Sequence, residues 1–258
     1  MDAKDALADG RLTDAIALQE AAVRNRPSDS AARLFLFELL TLAGQLKAAR
    51  DHLRRIVSDD PAWPRARQRF WRILRAEHGR SRRGRKPALP KKPLHARYRR
   101  RALKALSQGE TGLAGIWIDR ADAAMPGLSG HVDGREFEGL RDTDDRYASV
   151  LEAFVRDTYL WLPLDGLRRI ILAPPAGVLD AAFRPARLKL ANGTEINATL
   201  PLLYPRSFRA DEDYTLGRET DWPESPGGLV LGIGAKVWIV GDEELVLGNC
   251  RQFDIAVR

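Results

Sequence analysis

The chain has 258 residues, of which 44% are hydrophobic and 30% are charged, as is usual for a soluble protein with one large or two ordinary domains. Its net charge of +7 favours anionic partners such as nucleic acid, phospholipid or acidic proteins, although solubility alone explains a charge of this size equally well. A single cysteine, Cys250, excludes an internal disulfide and a cysteine-based zinc site. We expect a cytoplasmic protein, because the sequence shows no signal peptide and no apolar run close to the roughly 18 residues that a membrane span needs.

The first half of the chain contains a repeat with a period of 34 residues, which is the tetratricopeptide period. A glycine is followed five residues later by an alanine and then by a proline that ends the unit. Glycine permits the turn between two helices, alanine allows the helices to touch, and proline stops the second helix. A third copy follows after a gap, and the alternative to a repeat is a generic helical bundle. The repeated positions are Gly10, Gly44 and Gly109, Ala15, Ala49 and Ala114, and Pro27, Pro61 and Pro126.

An additional helix and a basic segment separate the second and third copies. The spacing of apolar residues predicts a helix over residues 63–77. Ten of the 21 residues at 81–101 are Lys or Arg, and no acidic residue lies between Glu77 and Glu110. Prolines interrupt the segment, so we expect an exposed linker at about 80–94 followed by a basic helix. The segment suits nucleic acid or an acidic protein partner, and a solvated linker without a partner is the alternative; Tyr98 is its one aromatic residue.

The second half has short apolar runs separated by turn residues, which predicts strands and hairpins. Hairpins are expected over residues 150–164, 187–199 and 236–247, the second of them with an Asn-Gly turn. A last strand is expected at 252–257 and short helices at 165–171 and 177–183. The predicted fold class is therefore multidomain and mixed: tetratricopeptide-like helical repeats at 1–128, then an α+β domain at 129–258 with a mostly antiparallel sheet.

The strongest candidate for chemistry is a cluster of three aspartates, Asp142, Asp144 and Asp145. Carboxylates are the ligands that Mg²⁺ prefers, but no glutamate completes a calcium loop. Arg141 and Arg146 can neutralise two of the charges, and aspartate is also a common turn residue. A structural turn is the favoured interpretation. The histidines are not spaced as metal ligands, and the glycine-rich residues 227–234 lack the Lys-Ser/Thr of a phosphate loop, so neither a catalytic site nor a cofactor is predicted.

Several ordered motifs in the second half resemble the ImpE/TagJ/SciE family of accessory proteins of the bacterial type VI secretion system. They lie at residues 137–146, 150–154, 159–163, 183–187, 203–205 and 216–222. Their residues, interpreted as structural, are Asp142, Asp144, Asp145, Arg146, Trp161, Pro163, Arg184, Pro185, Tyr204, Pro205, Arg218 and Trp222. Two departures are Arg206, where the family pattern has glycine, and a basic insert at 81–93 that is longer than usual.

The resemblance implies a non-enzymatic cytoplasmic adaptor. Its implied partner is the sheath subunit TssB, bound through its N-terminal helix, and its implied role is to help connect the sheath with ClpV, the ATPase that disassembles it. Nucleic-acid binding through residues 81–101 is the alternative function.

Stacked helical pairs form a groove that accepts an amphipathic helix, although the second domain remains an alternative binding surface. The repeat pattern predicts that Leu34, Glu38 and Leu42 line this groove, and the basic helix adds Arg97, Arg100 and Arg101 as candidate partner-binding residues.

Overall fold

The computed structural model describes residues 2–81, 87–223, 225 and 227–258. Residues 82–86 of the predicted basic linker therefore lie outside the described residues. The expectation that the linker is exposed is wrong for its next part, because Ala88 pairs with Leu160 and Leu89 is buried in an apolar cluster. The helices are α1 (Ala3–Ala8), α2 (Leu12–Asn25), α3 (Ser30–Leu42), α4 (Leu46–Arg54), α5 (Trp63–Ser81), α6 (Leu94–Gln108), α7 (Thr111–Ala123) and α8 (Glu212–Thr215). Among these described residues, seven helices precede the first strand, and the order agrees with the predicted helical region followed by an α+β region.

The second half forms a mostly antiparallel set of sheets. The strands are β1 (Leu128–Val132), β2 (Arg135–Glu138), β3 (Leu140–Asp142), β4 (Val150–Val155), β5 (Thr158–Pro163), β6 (Leu167–Leu172), β7 (Phe183–Leu190), β8 (Glu195–Pro201), β9 (Thr220–Asp221), β10 (Ile233–Gly234), β11 (Val237–Val240), β12 (Glu243–Val246) and β13 (Gln252–Val257). Within the described residues, the main sheet has the order β2-β1-β13-β6-β7-β8-β4-β5, and two small sheets have the orders β12-β11-β3 and β10-β9.

Three helical pairs confirm the repeat: α1 with α2, α3 with α4, and α6 with α7. The glycine in the turn of each pair has a positive φ, at 89° for Gly10, 68° for Gly44 and 81° for Gly109. Side chains rarely adopt this backbone region, which explains why glycine recurs there. The alanine five residues later is 0% exposed in every pair, at Ala15, Ala49 and Ala114. Helix contact at a small residue is therefore the physical basis of the repeat.

The third pair has a core of its own, which differs from the expected stack of three units. The first four helices and α5 share one apolar cluster, and this cluster also takes in Phe154, Leu179 and Phe183 from the strand region. The third pair instead packs around Ala102, Ala105, Ala114, Ile118 and Leu229. The intervening helix α5 and the strand region thus cover the apolar faces that a continuous stack would bury on neighbouring repeats.

Helix α5 confirms the helix predicted over residues 63–77, and it continues to Ser81. Phe70, Ile73 and Leu74 of α5 are buried in the apolar cluster that the helix shares with α1–α4. Helix α5 also contacts strands β4 and β5, and its last two turns carry two buried charged residues, Glu77 and Arg80. The contact between α5 and strands β4 and β5 is called the seam below.

The three predicted hairpins and the last strand are confirmed. Strands β4 and β5 pair, as do β7 with β8 and β11 with β12, and β13 lies between β1 and β6. The turn of the third hairpin is tighter than expected, because Val240 already pairs with Glu243. The Asn-Gly turn of the second hairpin places Gly193 at a φ of 82°, as a glycine turn requires.

The first of the two short helices predicted in this half is wrong over most of its length. A single 3-10 turn occupies Leu164–Gly166, and residues 167–172 form strand β6 instead. Buried Leu167, Ile170 and Leu172 face the core there, and pairing on both sides with β7 and β13 outweighs the helical pattern. The second predicted helix is reduced to a 3-10 turn at Val178–Ala181.

The division at residues 128 and 129 stays a prediction. Helix α7 ends at Ala123 and β1 begins at Leu128, but the helical cluster shares buried residues with the strand region. None of the described helices is both long and apolar enough to cross a bilayer.

Candidate functional site

The aspartates of the acidic turn (residues 141–146) accept hydrogen bonds from several parts of the chain. The Asp142 carboxylate is buried and accepts from Tyr204 Oη at 2.8 Å, from Trp238 Nε1 at 3.2 Å and from Lys236 Nζ at 3.3 Å. Burial raises the pKa of Asp142, and the adjacent Lys236 ammonium opposes the rise. These bonds join β3 to β11 and to the chain after β8.

The other two aspartates each pair with the arginine that the sequence suggested. Asp144 is fully buried, accepts from Arg146 Nε at 2.9 Å and 3.1 Å, and accepts from the backbone N–H of Gly232 at 2.7 Å. Asp145 accepts from Arg141 at 3.0 Å and from the backbone N–H of Val230 at 2.8 Å. The turn therefore fixes the extended segment before β11, and its carboxylate oxygens point at protein donors.

The described residues contain no group of three or more His, Cys, Asp or Glu side chains arranged to hold a metal ion. In the acidic turn, every carboxylate already has a cationic partner: Lys236 for Asp142, Arg146 for Asp144 and Arg141 for Asp145. A buried carboxylate with a cation and several N–H donors is stable as an anion without a metal.

Buried charges continue from Asp142 to the seam and are called the buried ion network (Glu77, Arg80, Asp142, Glu152 and Lys236). Glu152 of β4 accepts from Arg80 Nε at 2.9 Å and from Tyr159 Oη at 2.5 Å, and it lies 3.0 Å from Lys236 Nζ. Burial alone would raise the pKa of Glu152, but the Arg80 and Lys236 cations reverse the effect and lower it to about 2. Helix α5 is thereby attached to the sheet through charges without access to solvent.

Aromatic rings complete this network. The Lys236 ammonium lies 4.4 Å from the centre of the Tyr147 ring and 4.7 Å from that of Tyr204. Trp161 is 0% exposed and donates its indole N–H to Tyr159 Oη at 2.7 Å. Two of the family-motif residues, Trp161 and Tyr204, therefore lie beside the same buried charges.

The other motif residues between β5 and the segment after β8 have structural roles in strands and turns. Pro163 ends β5 opposite Val150, and Pro185 lies in β7 opposite Thr199. Arg184 donates to the backbone carbonyl of Asp180 at 2.8 Å. Arg206, which follows Pro205, has a φ of 72°, a region that favours the glycine of the family pattern.

The last motif connects the strand region to the first helical pair. Arg218 donates to the backbone carbonyl of Ala8 at 2.5 Å, at the end of α1. Glu212 accepts from the backbone N–H of Leu12 at 2.9 Å and of Thr13 at 2.7 Å, and so caps the start of α2. Sequence reasoning missed Glu212, because a cap supplied from 200 residues away leaves no local pattern.

Trp222 is partly buried, and its indole nitrogen has no hydrogen-bond partner within the described parts of the chain.

The predicted groove residues on α3 differ in exposure. Leu42 is only 6% exposed and offers a partner almost no surface, whereas Leu34 and Glu38 are partly exposed. Glu38 lies close to the 3-10 turn that contains Asp180. Burial, followed by repulsion from the Asp180 carboxylate, raises the pKa of Glu38 to about 7. The strand region thus covers much of this face, because Val178 and Leu179 pack against the helical cluster. Partner binding by Leu34, Glu38 and Leu42 stays a prediction.

The predicted basic residues lie together on α6. Arg97 and Arg101 are exposed and Arg100 is partly exposed, and with Lys104 they line a depression of about 200 Å³. The sequence missed Trp117 of α7, whose ring stacks on Tyr98 with 5.6 Å between centroids. Helix pairing brings these rings together, so the basic surface carries more aromatic area than the linear segment indicated.

Comparisons with known proteins agree with the order of the two regions. A family model described as ImpE protein matches residues 134–254, and a tetratricopeptide-repeat model matches residues 6–68. The chain is 31% identical to the type VI secretion system accessory component TagJ of Pseudomonas aeruginosa, over 98% of this chain and 91% of that protein. The crystal structure of protein VPA1032 from Vibrio parahaemolyticus has a TM-score of 0.87 to this chain at 21% identity, with 99% and 98% of the two chains covered. That structure supports the fold alone.

Proposed function

The chain belongs to the ImpE/TagJ family of type VI secretion accessory components, and on that premise we propose that it is a non-enzymatic cytoplasmic adaptor of this secretion system. The observation that carries the proposal is the 31% identity to TagJ over nearly the whole chain. The adaptor role is further supported by tetratricopeptide-type pairs, whose common use is to hold partner segments.

The partner that we propose is the sheath subunit TssB, bound through its N-terminal helix, so that the protein helps to couple the sheath to the ClpV ATPase. A depression beside α1, α2 and α3 suits a helix, because exposed Leu18 and the partly exposed Ala22 and Phe35 line it. Lys4 and Arg26 lie at the same depression together with Asp2 and Asp29, so side chains of both charges can pair with polar side chains at the edge of a bound helix.

The non-enzymatic part of the proposal is supported by the use of the acidic turn. Its carboxylates are engaged by arginine, lysine, tyrosine, tryptophan and backbone donors. A general base or metal ligand requires a carboxylate that can reach a substrate or an ion, which these side chains do not offer.

Calorimetry with the full chain and a peptide of the TssB N-terminal helix tests the proposal. We expect saturable heat of binding, and we expect Leu18→Glu to weaken it by introducing a charge into an apolar contact. Val57→Glu, at an apolar residue that is 77% exposed elsewhere, is the matched control. If the wild-type chain gives neither heat nor complex at high micromolar peptide, the TssB proposal is wrong.

A further inference from the structure

One side of the α6–α7 pair combines exposed cations with exposed apolar side chains. On α6, one depression is lined by four cations: Arg97, Arg100, Arg101 and Lys104. Successive members are three, one and three residues apart, so they lie on one face of the helix. Within the described parts of the chain, none of the four has a carboxylate partner. Arg99, on the opposite face, is buried and pairs with Asp122 of α7. The outward cations are therefore available to anionic groups from outside the chain.

Helix α7 carries exposed apolar side chains next to Trp117, and the Trp117 ring lies against Arg101 of α6. Leu113 is 42% exposed and Ile116 is 51% exposed, whereas Ala114 and Ile118 of the same helix are buried against α6. Leu113, Ile116 and Trp117 follow one another at helical spacing, so they form a continuous apolar stripe. In a soluble protein, a helical stripe of this kind beside a row of cations is typical of an interaction surface.

Trp117 joins the two parts. Its ring stacks on Tyr98 of α6, and the guanidinium groups of Arg101 and Arg120 lie 4.6 Å and 5.0 Å from its centroid. These contacts hold two cations beside the apolar stripe. We call the side the α6–α7 surface, formed by Arg97, Arg100, Arg101, Lys104, Leu113, Ile116 and Trp117.

We propose that the α6–α7 surface docks an amphipathic helix of a partner protein, whose apolar face is bordered by Asp and Glu. The aliphatic stripe receives the apolar face, and the four cations receive the carboxylates. This proposal is independent of the binding of TssB to α1–α3, because it uses different helices and a different apolar cluster. It gives an adaptor two separate docking surfaces.

Charge and chemistry disfavour other occupants. A symmetric pair of chains joined through this surface would bring both sets of four cations into one interface, and like charges repel. Nucleic acid would use the cations but would gain little from exposed Leu113 and Ile116, and the Trp117 ring is already stacked on Tyr98 instead of being open to a base.

A synthetic amphipathic peptide of about 18 residues tests the surface, because it is long enough to fold as a helix when bound. One version has leucines on one face and glutamates beside them, and the other has lysines in place of the glutamates. Fluorescence anisotropy of labelled peptides measures binding to the full chain at low and moderate salt. Labelled duplex DNA and anionic lipid vesicles are measured in parallel.

We expect the glutamate peptide to bind and the lysine peptide to bind at least about tenfold more weakly. The double variants Leu113→Ser with Ile116→Ser and Arg97→Glu with Lys104→Glu should each reduce binding about tenfold or more, since one removes apolar area and the other removes attraction. The control Arg65→Glu with Arg67→Glu makes the same charge change on exposed residues of α5 and should leave binding unchanged. Circular dichroism establishes that each variant is folded.

Four results would overturn the proposal: no binding of the glutamate peptide at high micromolar concentration, equal binding of both peptides, loss of binding in the α5 control, or sensitivity to the charge variant alone. Tighter binding of DNA or vesicles that only the charge variant weakens would assign the surface to polyanions instead. A dimer that the apolar double variant dissociates, seen by sedimentation, would assign it to a second copy of the chain.

Discussion

Arg80 at the seam and the exposed arginines of α6 have opposite environments, although all of them lie between Glu77 and Glu110, where the sequence has no acidic residue. At the seam, Arg80 is buried and donates to Glu152 at 2.9 Å and to Glu77 at 3.2 Å. On α6, Arg97 and Arg101 are exposed, and their guanidinium groups face solvent beside an apolar stripe. Charge counted along the sequence does not separate the two sets, because burial is decided by tertiary packing.

The difference teaches which cations stabilise the fold and which remain for partners. A buried cation between carboxylates cannot be removed without leaving an unpaired charge inside the protein. An exposed cation contributes little to stability, since water already solvates it. The two helical parts also differ in how they contact the strand region: the cluster of the first two pairs includes Phe154, Leu179 and Phe183, whereas the buried residues described for the third pair's cluster include only Leu229 from that region.

The largest effect is expected from Arg80→Met in the buried ion network. Glu77 and Glu152 would lose their shared cation without access to water, so we expect a loss of about 3–5 kcal/mol in the free energy of unfolding. Urea denaturation followed by circular dichroism measures it. Arg75→Met is the matched control, because its pair with Asp157 is more than half exposed, and it should cost less than about 1 kcal/mol. Equal losses for the two variants would contradict the contrast between buried and exposed arginines.

Glycine-to-alanine substitutions in the repeat turns test whether the helical pairs differ in their contact with the strand region. Gly44→Ala and Gly109→Ala both place a side chain at positive φ, which costs about 1–2 kcal/mol. At Gly44 the new Cβ would also lie 2.4 Å from Phe208 Cδ2, whereas at Gly109 it meets nothing within 4 Å. Gly44→Ala should therefore destabilise the protein more by at least about 1 kcal/mol in thermal or urea unfolding. The reverse order would mean that the turn at Gly44 has more freedom than the packing indicates.

Sequence reasoning succeeded where the physical cause is local. The repeat was visible because the positive φ at Gly10, Gly44 and Gly109 and the tight contact at the alanines act within one helical pair. The hairpins were visible because an apolar run and its turn are adjacent in the chain. The acidic turn was correctly paired with Arg141 and Arg146 for the same reason.

Sequence reasoning failed where the cause is distant. Glu152 meets Arg80 across 72 residues, and Glu212 caps α2 across 200 residues. The helix predicted at 165–171 is strand β6, because two neighbouring strands pair with it. Trp117 joins the basic surface only when α6 and α7 pair. Such features need the assembled fold. The order of the helical and strand regions was therefore predictable, whereas the buried ion network and the aromatic part of the α6–α7 surface were not.

A smaller, pH-dependent effect is expected at Glu38. Its pKa is raised from 4.5 to about 7 by burial, so the folded state holds this proton more tightly than the unfolded state does. Stability from this group is therefore fully present below about pH 4.5 and falls as pH rises to about 7. Because Glu38 keeps some exposure to solvent, we expect the change to be of order 1 kcal/mol.

Glu38→Gln should flatten that part of the pH profile of unfolding, because the amide does not titrate. Glu20→Gln, on the exposed face of α2, is the matched control and should leave the profile unchanged. Urea unfolding at a series of pH values between 4.5 and 7 measures the slope. A slope that Glu38→Gln leaves intact would show that another group in the region between α3 and the strands causes it.

The smallest effect is expected at Arg206, which occupies a position of positive φ beside the cavity lined by Leu42, Gly44 and Phe208. Arg206→Gly removes the strain of a side chain at a φ of 72° but gives the unfolded chain more freedom, so we expect a change within about 1 kcal/mol. Arg206→Val, which is branched at Cβ, should destabilise the protein more than glycine or arginine does at this φ. Thermal unfolding of the three proteins checks the order. If valine were tolerated as well as glycine, the turn before the 3-10 segment Ser207–Arg209 would have to adopt another backbone conformation. The strand region would then be less rigid where it packs against the first two helical pairs.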